Sequence, residues 1–415
     1  MKLWDYLKMH MEFHKDKIAF HNSNISYNDL LTLDTSNNDK KIVIINENTK
    51  EGQALNILRN IALGNVIVPI SKTISISHYE HINNLISNNQ EDISDLSFIM
   101  FTSGTTGLPK GVMLTDDNII SNLEYIKTYF DVSGSKTICI FRPLVHISAV
   151  TGELLYALIN GLTIYFYEEQ FIPKRLLKYM DDNNIDILGA TPTIFNELSK
   201  AITSKLNLKI GVISGEILPK NVALFISSKF PNTLFYNGYG LTEHSPRALA
   251  LLPNDFNKKI GSVGKPIGDV KIKIVNNELL IKSSSVMKGY FNDKKLTETK
   301  IKNGWLHTGD IASIDEDGYF YIHGRVDEMI IKAGINIYPQ EIEVAVNSIS
   351  GVTDSLAYAK IIDGKTILYL DYIGDIDIKY LRIEMMKVLN PNIVPNKIQK
   401  VDFIPKTISG KKVRK

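Results

Sequence analysis

Phe101-Thr102-Ser103-Gly104-Thr105-Thr106-Gly107-Leu108-Pro109-Lys110-Gly111-Val112 is the stretch on which the reading of this chain turns. Its glycines let the main chain bend so that successive N–H groups face a single anion, a nest. Thr102, Ser103, Thr105 and Thr106 add hydroxyl donors, and Lys110 adds a compact positive charge suited to phosphate. The stretch lacks the terminal Gly-Lys-Ser/Thr of a Walker loop, as does the later Gly261-Ser262-Val263-Gly264-Lys265-Pro266. It reads as a phosphate cradle of another kind, entered from the apolar run Leu96 to Phe101.

Outward from the cradle, short β-branched runs alternate with helical stretches. Ile42–Ile45, Val66–Pro69, Leu162–Tyr167, Ile185–Leu188 and Ile210–Ile213 read as strands. Gln53–Leu63, His78–Ser87, Pro173–Asn183 and Pro192–Ser204 read as helices. This alternation predicts an α/β fold of parallel sheets covered by helices. From Gly261 to Arg325 turns become frequent (Asn276-Asn277, Asn303-Gly304, Asp317-Gly318), which predicts a small antiparallel β-element. After Asp327, helices over Pro339–Ser348 and Ile378–Leu389 flank strand-like runs at Ser355–Ile361 and Lys365–Tyr372. The expectation is a large domain over residues 1–326 and a small α+β domain over 327–415.

The bulk composition narrows the function classes. The chain has 415 residues, 44% of them hydrophobic, enough for more than one core. Its 47 basic and 45 acidic residues nearly cancel, which leaves no electrostatic footprint for nucleic acid. The single cysteine, Cys139, excludes an internal disulfide and a Cys-based metal site, and its apolar neighbours make it a strand core residue. The first seventeen residues lack the apolar core of a signal peptide. Ala149–Tyr167 is broken by Glu153, Asn160 and two glycines, and reads as a buried helix followed by a strand, not a membrane span. A cytoplasmic location is expected. The basic residues Lys412, Arg414 and Lys415 read as a solvated tail.

The cradle resembles the signature of the adenylate-forming superfamily, which includes acyl-CoA synthetases, adenylation domains of nonribosomal peptide synthetases and firefly luciferase. The resemblance continues in that family's motif order from Ile25-Ser26-Tyr27 to the C-terminus. It implies that Ser214-Gly215-Glu216 lies against one face of an adenine, with Gly215 and Glu216 at the nucleotide. It implies that Asn237-Gly238-Tyr239-Gly240-Leu241-Thr242-Glu243 is the central nucleotide motif. There Tyr239 would stack on the purine, Asn237 meet its amino group, Thr242 hold the α-phosphate and Glu243 coordinate Mg²⁺. An aromatic face suits a purine, and a hard cation suits a carboxylate with phosphate oxygens.

By the same resemblance, Asp310 of Thr308-Gly309-Asp310 would accept from both ribose hydroxyls. In Gly324-Arg325-Val326-Asp327, Arg325 would touch ribose or phosphate and Asp327 would be the hinge about which a mobile small domain turns. Gly334 of Lys332-Ala333-Gly334 would line a tunnel for the acceptor thiol, and Lys411 of Pro405–Lys411 would be the catalytic lysine. The implied cofactors are ATP and Mg²⁺, with coenzyme A or a carrier protein's phosphopantetheine as acyl acceptor. The implied reaction forms an acyl-AMP from a carboxylic acid, then a thioester.

Arg142-Pro143-Leu144-Val145-His146 resembles the substrate-side motif, with His146 at the acyl-pocket position; a histidine there serves equally as a hydrogen-bonded core residue. Amino-acid-activating members carry an aspartate here, and none occurs between Phe141 and Ala149. Burying an ammonium without one is costly, so a fatty or aromatic acid is expected. The alternatives are a stand-alone amino-acid adenylating enzyme charging a carrier protein, and a non-catalytic nucleotide-binding protein, which would have no need of Lys411. The chain is shorter than members of that family usually are, part of the deficit falling between Pro69 and Leu96.

Overall fold

The computed structural model describes residues 1–36, 39–103, 108–332, 335–362, 365–405 and 412–414, with Ser103 by its main chain only. Among these residues the larger sheet has nine strands. Its middle is parallel: Leu234–Gly240, Ile210–Ser214, Ile187–Ala190, Thr137–Ile140, Thr163–Phe166 and Ile18–Phe20 lie side by side. Ile187–Ala190 and Ile210–Ser214 are buried along their whole length, which is why they read as unbroken apolar runs. Both ends depart from the expected parallel pattern. Arg247–Leu251 and Lys265–Pro266 close one end antiparallel, and Ile25–Ser26 closes the other.

A second sheet joins Ile42–Ile45, Val66–Pro69 and Leu96–Ser103 in parallel, then Pro109–Thr115 and Gly289–Tyr290 antiparallel. The third sheet is antiparallel, as the turn-rich sequence implies: Lys271–Val275, Glu278–Lys282, Trp305–Ile314 and Phe320–Arg325 in succession. Asn276 and Asn277, both at positive φ (50° and 64°), make the first of its turns.

The covering helices begin where side chains can cap them. Thr49 accepts from Gly52 N ahead of Lys50–Ala62, and Thr191 accepts from Ile194 N ahead of Pro192–Ala201, whose proline fits the first turn. The run after His146 is a helix and then a strand, as expected, but Val150–Leu155 is a π-helical turn within the helix. Such turns re-aim side chains and recur at functional sites.

One apolar core unites the first two sheets and their helices. Another, drawn only from residues between Ile330 and Ile398, fills the C-terminal segment. There Pro339–Asn347 and Ile378–Val388 pack on the sheet of Val352–Ile362, Lys365–Gly374 and Lys397–Lys400. Lys412 and Arg414 are not solvated. Lys412 Nζ stands 2.8 Å from Asp354 Oδ1 and 3.4 Å from Glu343 Oε2, and Arg414 Nη1 stands 3.0 Å from Glu343 Oε1. Glu343 is buried, and a buried carboxylate needs cations beside it. The charges of the last residues are therefore matched by carboxylates of the same segment, Glu343, Asp354 and Glu328.

Candidate active site

The parallel strands Ile210–Ser214 and Leu234–Gly240 end together, with Ile213 beside Asn237 and Ser214 beside Gly238. Their following loops, Gly215–Glu216 and Leu241–Glu243, therefore open on one side of the sheet, the side where parallel α/β sheets hold ligands. Gly215 has φ +94°, a backbone shape that favours glycine. The Ser214 hydroxyl is buried and has no partner among the described residues. The Glu216 carboxylate accepts from the Thr193 hydroxyl at 2.7 Å, so it braces the loop against the preceding helix, Pro192–Ala201.

Asn237 is 2% exposed, and its Nδ2 donates to the Ser262 carbonyl at 2.8 Å. That bond fixes the amide orientation and turns the acceptor Oδ1 outward from it, as an exocyclic amino group requires. Tyr239 donates its hydroxyl to Asp310 Oδ2 at 2.5 Å. Burial, then the Asp310 carboxylate, push this phenol well above its ordinary pKa, so it remains a donor. Arg325 Nη1 donates to Asp310 Oδ1 at 3.1 Å, and Arg325 Nε donates to Asp327 Oδ1 at 3.1 Å. One hydrogen-bonded line thus runs from Tyr239 through Asp310 and Arg325 to Asp327. Burial opposes the Arg325 charge, but Asp310 and Asp327 outweigh it and hold the proton tightly.

Glu243 Oε1 accepts the Tyr290 hydroxyl at 2.8 Å. Tyr290 pairs with Val112 in the second sheet, on the strand that carries Lys110. Thr102 pairs with Lys110, so the strands that enter and leave the cradle stretch lie side by side. Tyr290 therefore ties Glu243 to the cradle's outgoing strand. Sequence reasoning missed it, because nothing in Gly289-Tyr290 marks it apart from core packing. Thr242 opens the short 3₁₀ turn that ends at His244.

Thr102, Lys110, Gly215, Glu216, Asn237, Gly238, Tyr239, Thr242, Glu243, Asp310, Arg325 and Asp327 have described positions. Gly104, Thr105, Thr106, Gly107, Gly334 and Lys411 lie outside the described residues, and Ser103 is described by its main chain alone. His146 is half-buried and begins the helix that carries the π turn, its carbonyl accepting from Ala149 N at 2.9 Å.

Residues 14–291 match the AMP-binding enzyme family. The chain belongs to the AMP-binding enzyme family. Among its relatives, a long-chain-fatty-acid–CoA ligase of Salmonella typhimurium is 36% identical over 287 residues, which cover 63% of this chain and 50% of the ligase. The chain thus matches half the length of that relative. A 2-succinylbenzoate–CoA ligase of Staphylococcus epidermidis is 28% identical over 397 residues, 90% of this chain and 82% of its own. The o-succinylbenzoate coenzyme A synthetase of Bacillus subtilis, solved with ATP and magnesium ion, superposes with a TM-score of 0.86. At 22% identity, covering 99% of this chain and 98% of the synthetase, it shares the fold. This AMP-binding enzyme is α/β in its first two sheets, with a separate antiparallel sheet after them, as its sequence implies.

Proposed function

We propose that this chain is an AMP-forming acid–thiol ligase: it converts a carboxylic acid and ATP to acyl-AMP and pyrophosphate, then transfers the acyl group to coenzyme A. The observation that carries the reading is the line Tyr239–Asp310–Arg325–Asp327 at the carboxyl end of the sheet, set beside Glu243 and the cradle hairpin. The named relatives are CoA ligases, which favours coenzyme A over a carrier protein as acceptor. A fatty or aromatic acid is favoured over an amino acid, because no aspartate follows Phe141 before Ala149.

The residues present fit ATP with a divalent cation. Asn237 Oδ1 would accept from the adenine amino group, and Asp310, at the carboxyl end of the line, would take the ribose hydroxyls by exchanging its present donors. Lys110 would meet the leaving phosphates and Thr242 the α-phosphate. Among the described residues no group of three or more His, Cys, Asp or Glu is arranged to hold a metal ion. Glu243 would therefore hold Mg²⁺ together with phosphate oxygens, where the ion supplies charge neutralisation for the departing pyrophosphate.

In the first step a carboxylate oxygen of the acid bonds to the α-phosphorus and the bond to pyrophosphate breaks. Lys411 is proposed to sit between the two negative reactants, since phosphoryl transfer gains chiefly from positioning and cationic stabilisation. The ion pairs of Lys412 and Arg414 to Glu343 would anchor the tail immediately after it. In the second step the thiolate attacks the acyl carbon and AMP leaves. The segment 327–415 is proposed to swing about Asp327 between the steps, withdrawing Lys411 and bringing Gly334 to the thiol path. ATP and coenzyme A are both cytoplasmic metabolites, which makes the cytoplasm its proposed location.

The test is to incubate the protein with ATP, Mg²⁺ and a pool of acids and to look for an acyl-AMP by mass spectrometry. One trapped adenylate is expected. ATP binding without an adenylate from any acid would instead favour a non-catalytic nucleotide-binding protein.

A further inference from the structure

Residues 287–291 hold Glu243 by its main chain and by its side chain. Met287 N donates to the Glu243 carbonyl at 2.9 Å, and the Tyr290 hydroxyl donates to Glu243 Oε1 at 2.8 Å. The same segment is laced to the strand Pro109–Thr115. Lys288 N donates to the Met113 carbonyl at 3.0 Å and Phe291 N to the Gly111 carbonyl at 2.7 Å, on either side of the pair that Tyr290 makes with Val112. Tyr290 itself is fixed within this segment. It is 4% exposed, and its N–H donates to the Thr297 hydroxyl at 2.8 Å.

One helix sets the spacing between this segment and the Glu243 loop. Asn118 and Asn122 stand four residues apart on Asp116–Lys127, and so share a helix face. Asn118 Nδ2 donates to the Ser284 and Val286 carbonyls at 2.8 and 2.9 Å, just ahead of Met287. Asn122 Nδ2 donates to the His244 and Arg247 carbonyls at 3.1 and 2.8 Å, just after Glu243. The strand register then relates Tyr290 to Lys110. Residues paired across a sheet, and residues two apart on a strand, point to the same face. Tyr290, Val112 and Lys110 therefore share one face of the second sheet. Lys110 lies two residues, about 7 Å, along the strand from the position that Tyr290 pairs with.

We propose that Tyr290 is the positioning residue for the metal-binding carboxylate: its hydroxyl holds Glu243 Oε1, gives Oε2 to the ion, and ties the ion's place to the strand that carries Lys110. The inference rests on the nucleotide and Mg²⁺ reading of the site proposed above. Mg²⁺ demands near-ideal octahedral geometry at short distances, so a carboxylate free to rotate serves it poorly. A hydrogen bond from a buried neighbour orients such a ligand before the ion arrives. The strand link has a second consequence. A shift of the Lys110 strand is carried through Tyr290 to Glu243, so the lysine and the ion meet one triphosphate as a unit. Packing alone would be served equally by phenylalanine, which fills the same space without a bond to Glu243.

Tyr290→Phe keeps the ring in the core and removes only the hydroxyl. The test is equilibrium binding of Mn²⁺, a paramagnetic stand-in for Mg²⁺ at oxygen ligands, to protein saturated with an ATP analogue whose α–β bridge is methylene. Binding of the analogue in EDTA is measured beside it. In the variant the Mn²⁺ dissociation constant is expected to rise about tenfold or more, the scale for losing the outer partner of a metal ligand, while analogue binding without metal matches the wild type. Glu243→Gln should show a similar rise, and adding Tyr290→Phe to it should bring little more, because the two act through one carboxylate. Unchanged Mn²⁺ affinity in Tyr290→Phe, whatever its melting temperature, would make Tyr290 a packing residue and overturn the inference. Losses that add in the double variant would also overturn it. The expected Mn²⁺ shifts in a protein that shows no acid-dependent pyrophosphate exchange would remove the ligase reading and leave this inference standing.

Discussion

The Arg325 guanidinium grips the Asp327 carboxylate at two points, Nε to Oδ1 at 3.1 Å and Nη2 to Oδ2 at 3.4 Å. Its remaining nitrogen, Nη1, reaches Asp310 Oδ1 and the Thr308 carbonyl, each at 3.1 Å. A residue proposed to bind ribose and a residue proposed to act as hinge therefore share one arginine. Arg325→Ala is expected to weaken ATP binding by roughly tenfold or more, since it removes charge-assisted bonds that orient Asp310. Equilibrium nucleotide binding checks this, and unchanged affinity would contradict it.

The hinge itself is tested by Asp327→Pro. Proline fixes φ and would restrict rotation at the junction. Pyrophosphate exchange is expected to persist while thioester formation falls. Intact thioester formation would remove the hinge assignment.

The Mg²⁺-binding role proposed for Glu243, whose carboxylate accepts from the Tyr290 hydroxyl at 2.8 Å, is open to a direct test. Glu243→Gln should raise the Mg²⁺ concentration needed for half-maximal adenylation by about tenfold or more, the loss of one charged oxygen ligand. Chelation of Mg²⁺ should abolish exchange in the wild type. Exchange that survives chelation would contradict the role.

Glu343 offers a test of the tail. It receives Lys412 and Arg414 and accepts from Ala357 N at 2.9 Å. Removing one side of a buried ion pair costs about 3 kcal/mol or more. Glu343→Gln should lower the melting temperature of the C-terminal segment and slow adenylate formation, while a preformed acyl-AMP is still transferred. Equal loss of both half-reactions would argue against an anchoring role.

Acid stability should depend on Asp315, in the turn between the strands Trp305–Ile314 and Phe320–Arg325. Its carboxylate accepts from Tyr319 N at 2.9 Å, from Asp317 N at 3.0 Å and from Lys259 Nζ at 2.9 Å. The Tyr319 main-chain bond, with the Lys259 and Tyr321 side-chain bonds, lowers its pKa from 3.8 to about 2. A carboxylate with a depressed folded pKa contributes stability above its unfolded pKa and loses it as pH falls through the folded one. The urea midpoint should therefore decline between about pH 4 and pH 2, less steeply in Asp315→Asn. Identical pH profiles for the two proteins would contradict this.

The sequence made the scaffold legible where one physical signal dominated. Val66–Pro69 and Ile210–Ser214 are buried along their whole length because both sheet faces are covered there, and capped helices such as Pro192–Ala201 carry their start signal locally. Cys139 is buried, as its apolar neighbours imply. What escaped was long-range pairing. Arg142, Glu153 and Arg247 look like isolated charges in apolar surroundings, and only folding brings the first two together next to the third. Lys412 and Arg414 look like a basic tail until Glu343, some seventy positions earlier, is seen to face them. Tyr290 becomes a site residue only through its hydroxyl on Glu243.

The most direct test of the central claim is acid-dependent ATP–pyrophosphate exchange measured in the wild type and in Lys411→Ala. The account predicts exchange that requires both an acid and Mg²⁺, with AMP as the nucleotide product, and a fall of about 10²–10³-fold in the variant, the scale of a lost charge-stabilising group. Release of ADP and phosphate, or acid-independent exchange unaffected by Lys411→Ala, would contradict it.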